Sequence, residues 1–451
     1  MTYPVNASSP SKTFSDVACT VCGCVCDDLE FVVEGDRITE VRRACDLAEP
    51  WYLAINDCYP DAAQIDGRTS TFADAISESV RLLSDSHNPL IYGLSRSSTP
   101  GQRAAVRLAE QLGANIDTTA SVCHGPSIMA IQQVGEATCS LGEVRHRADL
   151  VVFWGANPVE SHPRHFERYS VDAVGQFVPR GRADRTIVVI DTKATATSEQ
   201  ADLFLQIDTE QDLEVIWTLR QLIRGDEPSC TPKTGIPLER LRDLAARMTR
   251  CTFGVVFFGL GLAQRGLGHL NVEALLRLVA DLNSHTRFSA RRLRLPGDVT
   301  GADSVLCWQT GFPFGVNLAR PYPRYNPGEF TADGLLIRDE VDCCLIVGSE
   351  STQMLSPQAQ ARLKQLPTIV LDYPHVSPAW QPHVHFTTAV YGVHAPGTVY
   401  RMDEIPIGLH SMMDSPYNTD EEVLEAVETV FNETVGSTGC LNRCRVSGWK
   451  H

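Results

Sequence analysis

The chain has no long apolar run. Its longest, Thr252 to Ala263, contains three glycines and ends at Gln264-Arg265, well short of the roughly 20 apolar residues a membrane-spanning helix requires. The opening MTYPVNASSPSK has neither a basic n-region nor an apolar stretch, so no signal peptide and no membrane association are expected, and the location expected is cytoplasmic. There is no internal repeat and no low-complexity tract. Positive charge is in deficit: Lys plus Arg is 39 against 55 Asp plus Glu, a formal charge of −16. Nucleic acid is therefore excluded as the main partner, because that binding is driven by neutralising phosphates. A local field can still attract a small anion. No Walker loop and no Ser-His-Asp context is present, and Gly259-Leu-Gly-Leu-Ala-Gln-Arg-Gly266 is a weak dinucleotide pattern by itself.

What is present is an ordinary globular composition, 43% hydrophobic and 21% charged over 451 residues. At roughly 150 residues per domain that length suggests about three domains. Phe31–Val41 reads as a strand, a tight Gly-Asp turn and a second strand. Beyond it, short continuous apolar runs alternate with helical patterns. Strands are expected at Pro89–Gly93, Leu150–Trp154, Thr186–Ile190, Leu203–Ile207, Gly254–Phe258, Cys343–Val347 and Thr368–Leu371. Helices are expected at Gly101–Leu112, Asp212–Ile223, Leu238–Met248 and Val272–Leu282. Such runs between helices predict an α/β fold with at least two parallel sheets covered on both faces. Four strands end in ligand-capable loops: Gly155-Ala-Asn157-Pro158, Asp191-Thr-Lys193, Gly259-Leu-Gly261 and Gly348-Ser-Glu350. Ligands bind beyond the carboxyl ends of strands in open α/β sheets, so together these favour a large nucleotide-like ligand.

Fifteen cysteines are present, six of them within the first 58 residues. Clustered cysteines without a secretion signal point to metal or redox chemistry more than to disulfides. Cys19-x2-Cys22-x3-Cys26, with Cys45 closing from a distance, can wrap a metal centre, and from spacing alone zinc and an iron–sulfur cluster fit equally. Cys24 is an extra thiol inside the run. Cys230, Cys251, Cys307, Cys343 and Cys344 read as small buried hydrophobes. Cys440 and Cys444 lie in a polar tail and receive no role. A second signal is Ala120-Ser-Val-Cys123-His124-Gly-Pro126, where a soft thiolate precedes an imidazole able to move protons near neutral pH. The plain alternative is a buried cysteine beside a hydrogen-bonded histidine. His162, His165, His375, His383, His385 and His394 show no metal spacing and read as surface or hydrogen-bonded residues.

The cysteine run resembles the N-terminal [4Fe–4S] motif of the molybdopterin oxidoreductases that include formate dehydrogenases. Ala148–Pro158 resembles their glycine-asparagine-proline loop, and Ile190-Asp191-Thr-Lys, Ala201-Asp202 and Asp212 resemble their guanine-nucleotide-binding stretch, although that family often has Pro-Arg at Thr192-Lys193. Trp308–Asn317, Arg320–Glu329 and Tyr400–Pro406 resemble signature stretches of one subfamily, the B-type subunits of tungsten- or molybdenum-containing formylmethanofuran dehydrogenase. The resemblance spans roughly residues 17–435.

It implies a molybdopterin oxidoreductase fold of two Rossmann-like α/β domains and a small iron–sulfur domain. The chain would divide into 1–66 for the cluster, a split α/β domain of 67–136 and 334–411, an inserted α/β domain of 137–333, and a C-terminal helix and tail of 412–451. It implies a molybdopterin guanine dinucleotide carrying tungsten or molybdenum, held by Gly155, Asn157, Pro158, Asp191 and Asp212, with Cys123 as metal ligand and His124 as acid/base. One [4Fe–4S] cluster would sit on Cys19, Cys22, Cys26 and Cys45. A catalytic arginine that steadies formate or CO2 falls in Arg291-Arg-Leu-Arg294, best at Arg294, with Arg291, Arg292, Arg320 and Arg324 as alternatives. The implied reaction is reversible reduction of CO2 to formate, coupled to N-formylmethanofuran formation. The implied partners are an amidohydrolase subunit, a small pterin-binding subunit, a further structural subunit and an electron carrier. The chain departs from the family at Arg294-Leu-Pro296, where Arg-Gly-His is expected. That departure favours an alternative, a non-redox scaffold subunit of a formyltransferase/hydrolase complex that converts formylmethanofuran to formate.

Overall fold

A computed structural model describes residues 11–228 and 235–437, with backbone alone for 435–437. Cys230, Cys440 and Cys444 lie outside the described residues. Two α/β sheets and a small N-terminal sheet carry the architecture.

Five parallel strands form one sheet, in the spatial order Leu203–Gln206, Thr186–Asp191, Leu150–Trp154, Phe253–Phe258, Arg287–Arg292. Successive side chains on a strand point to opposite faces. Here both faces are covered: Val151, Phe153, Val255 and Phe257 enter one core, and Val152, Trp154, Val256 and Phe258 enter another. That is why these strands read as unbroken apolar runs rather than as alternation. Asp212–Arg224 and Gly268–Leu282 pack on the second face.

The larger sheet has nine strands and parallel pairing at its centre, where Asn115–Thr118, Pro89–Gly93, Cys343–Val347, Thr368–Asp372 and Val384–Thr387 lie side by side. Ile91, Leu345 and Ile369 face the helices Thr99–Leu112 and Asp420–Ser437; Leu90, Tyr92 and Ile346 face the opposite side with Leu335 and Leu363. Antiparallel strands extend both edges: Val316–Asn317 and Arg324–Tyr325 on one, Ala63–Ile65 and Arg68–Thr69 on the other. The chain meets this sheet at Val316, where Val316 and Asn317 pair with Ile116 and Asn115.

The N-terminal sheet is an antiparallel meander of Lys12–Val17, Leu29–Glu34 and Arg37–Arg42. Its inner residues Leu29, Phe31, Val33, Ile38 and Val41 seal onto the five-stranded sheet's first core. The bland reading holds for Cys343 and Cys344, which are buried, but needs correcting for two others. Cys307 is exposed and Cys251 half-buried, because one lies on the outer face of Val299–Thr310 and the other at the end of Leu238–Arg250. Among the described residues no helix is long and apolar enough to cross a membrane.

Candidate active site

Loops from the carboxyl ends of both large sheets line one cleft of about 660 Å3. From the five-stranded sheet come Gly155–Asn157, Glu160–His162 and Gly259–Gly261; from the nine-stranded sheet come Arg96, Cys123, Glu350 and Met354. The segment Leu293–Pro296, which leaves the edge strand Arg287–Arg292, forms a third wall.

Gly155 is required by its position. Its φ is +55°, and a Cβ there would sit 2.6 Å from Leu262 N, so the turn at Gly259–Ala263 packs directly on its backbone. The chain then enters a short helix at Pro158. Asn157 Oδ1 accepts from the Thr197 amide at 3.2 Å and its hydroxyl at 2.7 Å, tying two loops together. Asp191 ends its strand and accepts from Thr192 N at 2.7 Å and Arg265 Nη2 at 3.1 Å. Asp212 is buried, accepts from Trp154 Nε1 at 2.8 Å through one oxygen, and has no hydrogen-bond partner on the other. Burial pushes its carboxyl up. Arg265 brings Asp191 and Asp212 into one group, its Nη1 lying 4.0 Å from Asp212 Oδ2.

Cys123 is buried at the cleft wall with its Sγ 3.7 Å from Leu295 O. Burial pushes the thiol up to about 11, against the pull of Arg294. His124 lies beneath it and outside the cleft lining. Its Nε2–H donates to Leu293 O at 3.0 Å, and its Nδ1 is 3.0 Å from Ser127 Oγ. Burial and the nearby Arg294 and Arg292 hold it down at about 3, so it is a neutral imidazole with both nitrogens engaged. Of the five candidate arginines, Arg294 and Arg292 act electrostatically on Cys123. Arg294 is fully buried, ion-paired to Asp303 and 3.4 Å from Thr300 Oγ1. Arg291 is committed to Glu404, Thr138 and Met402 O. Arg320 is exposed, and Arg324 bonds Asn317 at the sheet's far edge.

Beside the cleft, Cys19, Cys22, Cys26 and Cys45 line one small cavity, together with Cys24. Cys45 is half-buried and the rest are buried. Burial pushes Cys19 up to about 12. Arg164, which lines the same cavity, and Arg168 act electrostatically on Cys26, themselves braced by Asp27 and Asp28. Among the described residues no three His, Cys, Asp or Glu side chains converge as a single metal ion needs.

Two cleft residues escape sequence reasoning. His162, read from sequence as a surface or hydrogen-bonded residue, is buried in the cleft lining. Its Nε2–H donates to Arg294 O at 3.0 Å and its Nδ1 is 2.8 Å from Ser161 Oγ. Arg96 follows the strand Pro89–Gly93. The signal available for both was position: each sits in a loop beyond the carboxyl end of an apolar strand.

No protein-family model matches the chain. It is 39% identical over 424 residues to the B-type subunit of the tungsten-containing formylmethanofuran dehydrogenase 2 of Methanocaldococcus jannaschii, covering 92% of this chain and 97% of that one. It is 34% identical over 424 residues to the protein of the same name from Methanococcus maripaludis, covering 92% and 98%. Among solved structures, the formyltransferase/hydrolase complex of Methylorubrum extorquens with methylofuran shares the fold at a TM-score of 0.67 and 23% identity, over 83% of this chain and 99% of that one. With 39% identity along nearly the full length of both chains, this chain belongs to the family of B-type subunits of formylmethanofuran dehydrogenases.

Proposed function

We propose that this chain is the component of a multisubunit complex that interconverts CO2 and formate, taking up two electrons and one proton per CO2. The formate would be joined to the amine of methanofuran on an amidohydrolase partner, with a small pterin-binding subunit, a further structural subunit and an electron carrier completing the complex. The observation that carries this reading is the meeting of Cys123 and the Gly155–Pro158 loop in one cleft, next to the cysteine cavity.

The residues fit the implied groups. At about 660 Å3 the cleft lies within the roughly 300–1,000 Å3 of small-molecule sites. Asp212 Oδ2 accepts no hydrogen bond but faces Arg265 Nη1 at 4.0 Å, so a guanine edge reaching it would have to share it with that arginine. Gly155, Asn157, Pro158, Asp191 and Asp212 would hold the nucleotide, and Cys123 would ligate tungsten or molybdenum. Cys19, Cys22, Cys26 and Cys45 would hold one [4Fe–4S] cluster. A single zinc needs its thiolates on a common point about 2.3 Å away, and among the described residues no three ligand side chains converge in that way. When bound, the metal–pterin group would supply the two-electron exchange with the substrate carbon. His124 holds a proton on Nε2 against Leu293 O, so passing it to the cleft requires breaking that bond. Arg294 would steady a carboxylate only by sharing its guanidinium with Asp303.

That commitment of Arg294, together with the Leu295-Pro296 departure, favours the second reading, a non-redox scaffold in a formyltransferase/hydrolase complex. Metal content separates the two. In the complex purified without oxygen, the redox reading expects about one tungsten or molybdenum and at least four iron per chain after subtracting the partners' metals, and loss of the heavy metal in Cys123→Ala. An active complex without heavy metal would leave the scaffold.

A further inference from the structure

Arg96 serves none of the roles above, yet it touches both halves of the site. Its side chain is only 12% exposed. One terminal nitrogen donates to Thr20 O at 3.1 Å and Val21 O at 3.2 Å, the backbone between Cys19 and Cys22. Its Nε donates to Glu350 Oε2 at 2.7 Å, and both side chains line the cleft. The guanidinium lies 5.6 Å from the Trp51 ring centroid, and Tyr373 donates its hydroxyl to the Arg96 carbonyl. The residue is therefore fixed from several directions, against the backbone of the cysteine loop.

We infer that Arg96 is a positioning residue whose guanidinium, shared between the cysteine loop and Glu350, sets the reduction potential of the group held by the cysteines. This rests on the reading of that group as a [4Fe–4S] cluster. A cluster gains one negative charge on reduction. A cation held against the backbone of the cysteine loop would favour the reduced form, and burial keeps salt from screening it. Glu350 opposes the effect and moderates it. A ligand in the cleft that carries an anionic group would compete with Glu350 for Arg96. By reciprocity, occupancy of the cleft and the electron on the cluster would then each alter the other's equilibrium.

The test is an EPR-monitored redox titration of the anaerobically purified complex, with iron content measured in parallel. Arg96→Gln is expected to lower the midpoint potential of this chain's cluster, because Glu350 is left uncompensated. Glu350→Gln is expected to raise it, because Arg96 is left uncompensated. Arg96→Lys, which keeps the charge, is expected to stay near the unsubstituted value. Opposite shifts in the two neutralising variants are the signature; a merely structural role would not produce opposite signs. Unmoved potentials, or shifts of the same sign, would overturn the inference. So would loss of iron in Arg96→Gln combined with an unmoved Glu350→Gln, which would reduce Arg96 to a brace of the cysteine loop. Absence of iron and of any cluster signal from this chain in the unsubstituted complex would overturn the cluster reading, and this inference with it.

Discussion

Arg294 and Asp303 are both buried and paired with each other, and Asp303 also accepts from Thr118 Oγ1 at 2.8 Å. Burial pushes the Asp303 carboxyl up, and Arg294 pulls it back. Removing one partner of such a pair strands a charge and costs about 3–5 kcal/mol, whereas replacing both with apolar groups is close to neutral. Arg294→Met is therefore expected to destabilise the chain by that amount in urea unfolding, and Arg294→Met/Asp303→Leu by much less. Equal losses in both would mean that the pair is not what Arg294 contributes. At this scale the sequence speaks through spacing and local chemistry. Cys123 and the Cys19–Cys45 set were legible because their neighbours in sequence form motifs. His162 was not, since its partner is a backbone carbonyl 132 residues away, and no side-chain pattern announces a carbonyl.

The element that organises the site is the strip Leu293–Gly297. Its first three carbonyls accept in turn from His124, from His162 and, at 3.7 Å, from the Cys123 thiol. Its other side meets the cysteine loop: Gly297 N donates to Val21 O at 3.3 Å, and a Cβ on Gly23 would lie 2.5 Å from Arg294 O. Gly23→Ala must push the cysteine loop away from the strip, and iron per chain is expected to fall while far-UV circular dichroism holds. Retained iron would show that the loop moves freely. The strands Pro89–Gly93, Leu150–Trp154, Thr186–Asp191, Phe253–Phe258, Cys343–Val347 and Thr368–Asp372 were legible because burial on both faces removes polar residues from them, whereas Asn115–Thr118 and Val384–Thr387, short and carrying Asn, Asp, Thr and His, were not. Arg287–Arg292 was missed as a strand because it carries three arginines at an edge, two of which find Glu136, Glu404 and Thr138 once folded. The two-residue edge strands at Val316 and Arg324 are too short to show any period.

Over the whole molecule, buried titratable groups set a pH window. Burial holds His162 at about 4 and, together with the charge of His162, His165 at about 3, against 6.5 when unfolded. A depressed folded value contributes stability that is present above 6.5 and lost as pH falls towards 3 or 4. Burial raises Asp117 to about 7 and Asp298 to about 8, from 3.8. A raised folded value contributes stability that is full below 3.8 and lost as pH rises to 7 or 8. The two sets oppose each other between about 4 and 6.5, and above 6.5 only the carboxyls act. Stability is expected to decline from pH 6.5 to 8, and His165→Gln is expected to flatten the acid limb, both followed by intrinsic fluorescence. A stability that rises steadily from 6.5 to 8 would contradict the carboxyl assignment.

A strip of backbone braced from both sides behaves as one mechanical part. Two substitutions that never touch each other, such as Gly23→Ala on the cysteine side and His162→Gln on the cleft side, both act on the Arg294 carbonyl. Their effects are expected not to add, with a coupling of about 0.5–3 kcal/mol, the range for residues that share a backbone shift. Evolution would feel the same constraint: a change tolerated on one side of the strip alters which changes are tolerated on the other.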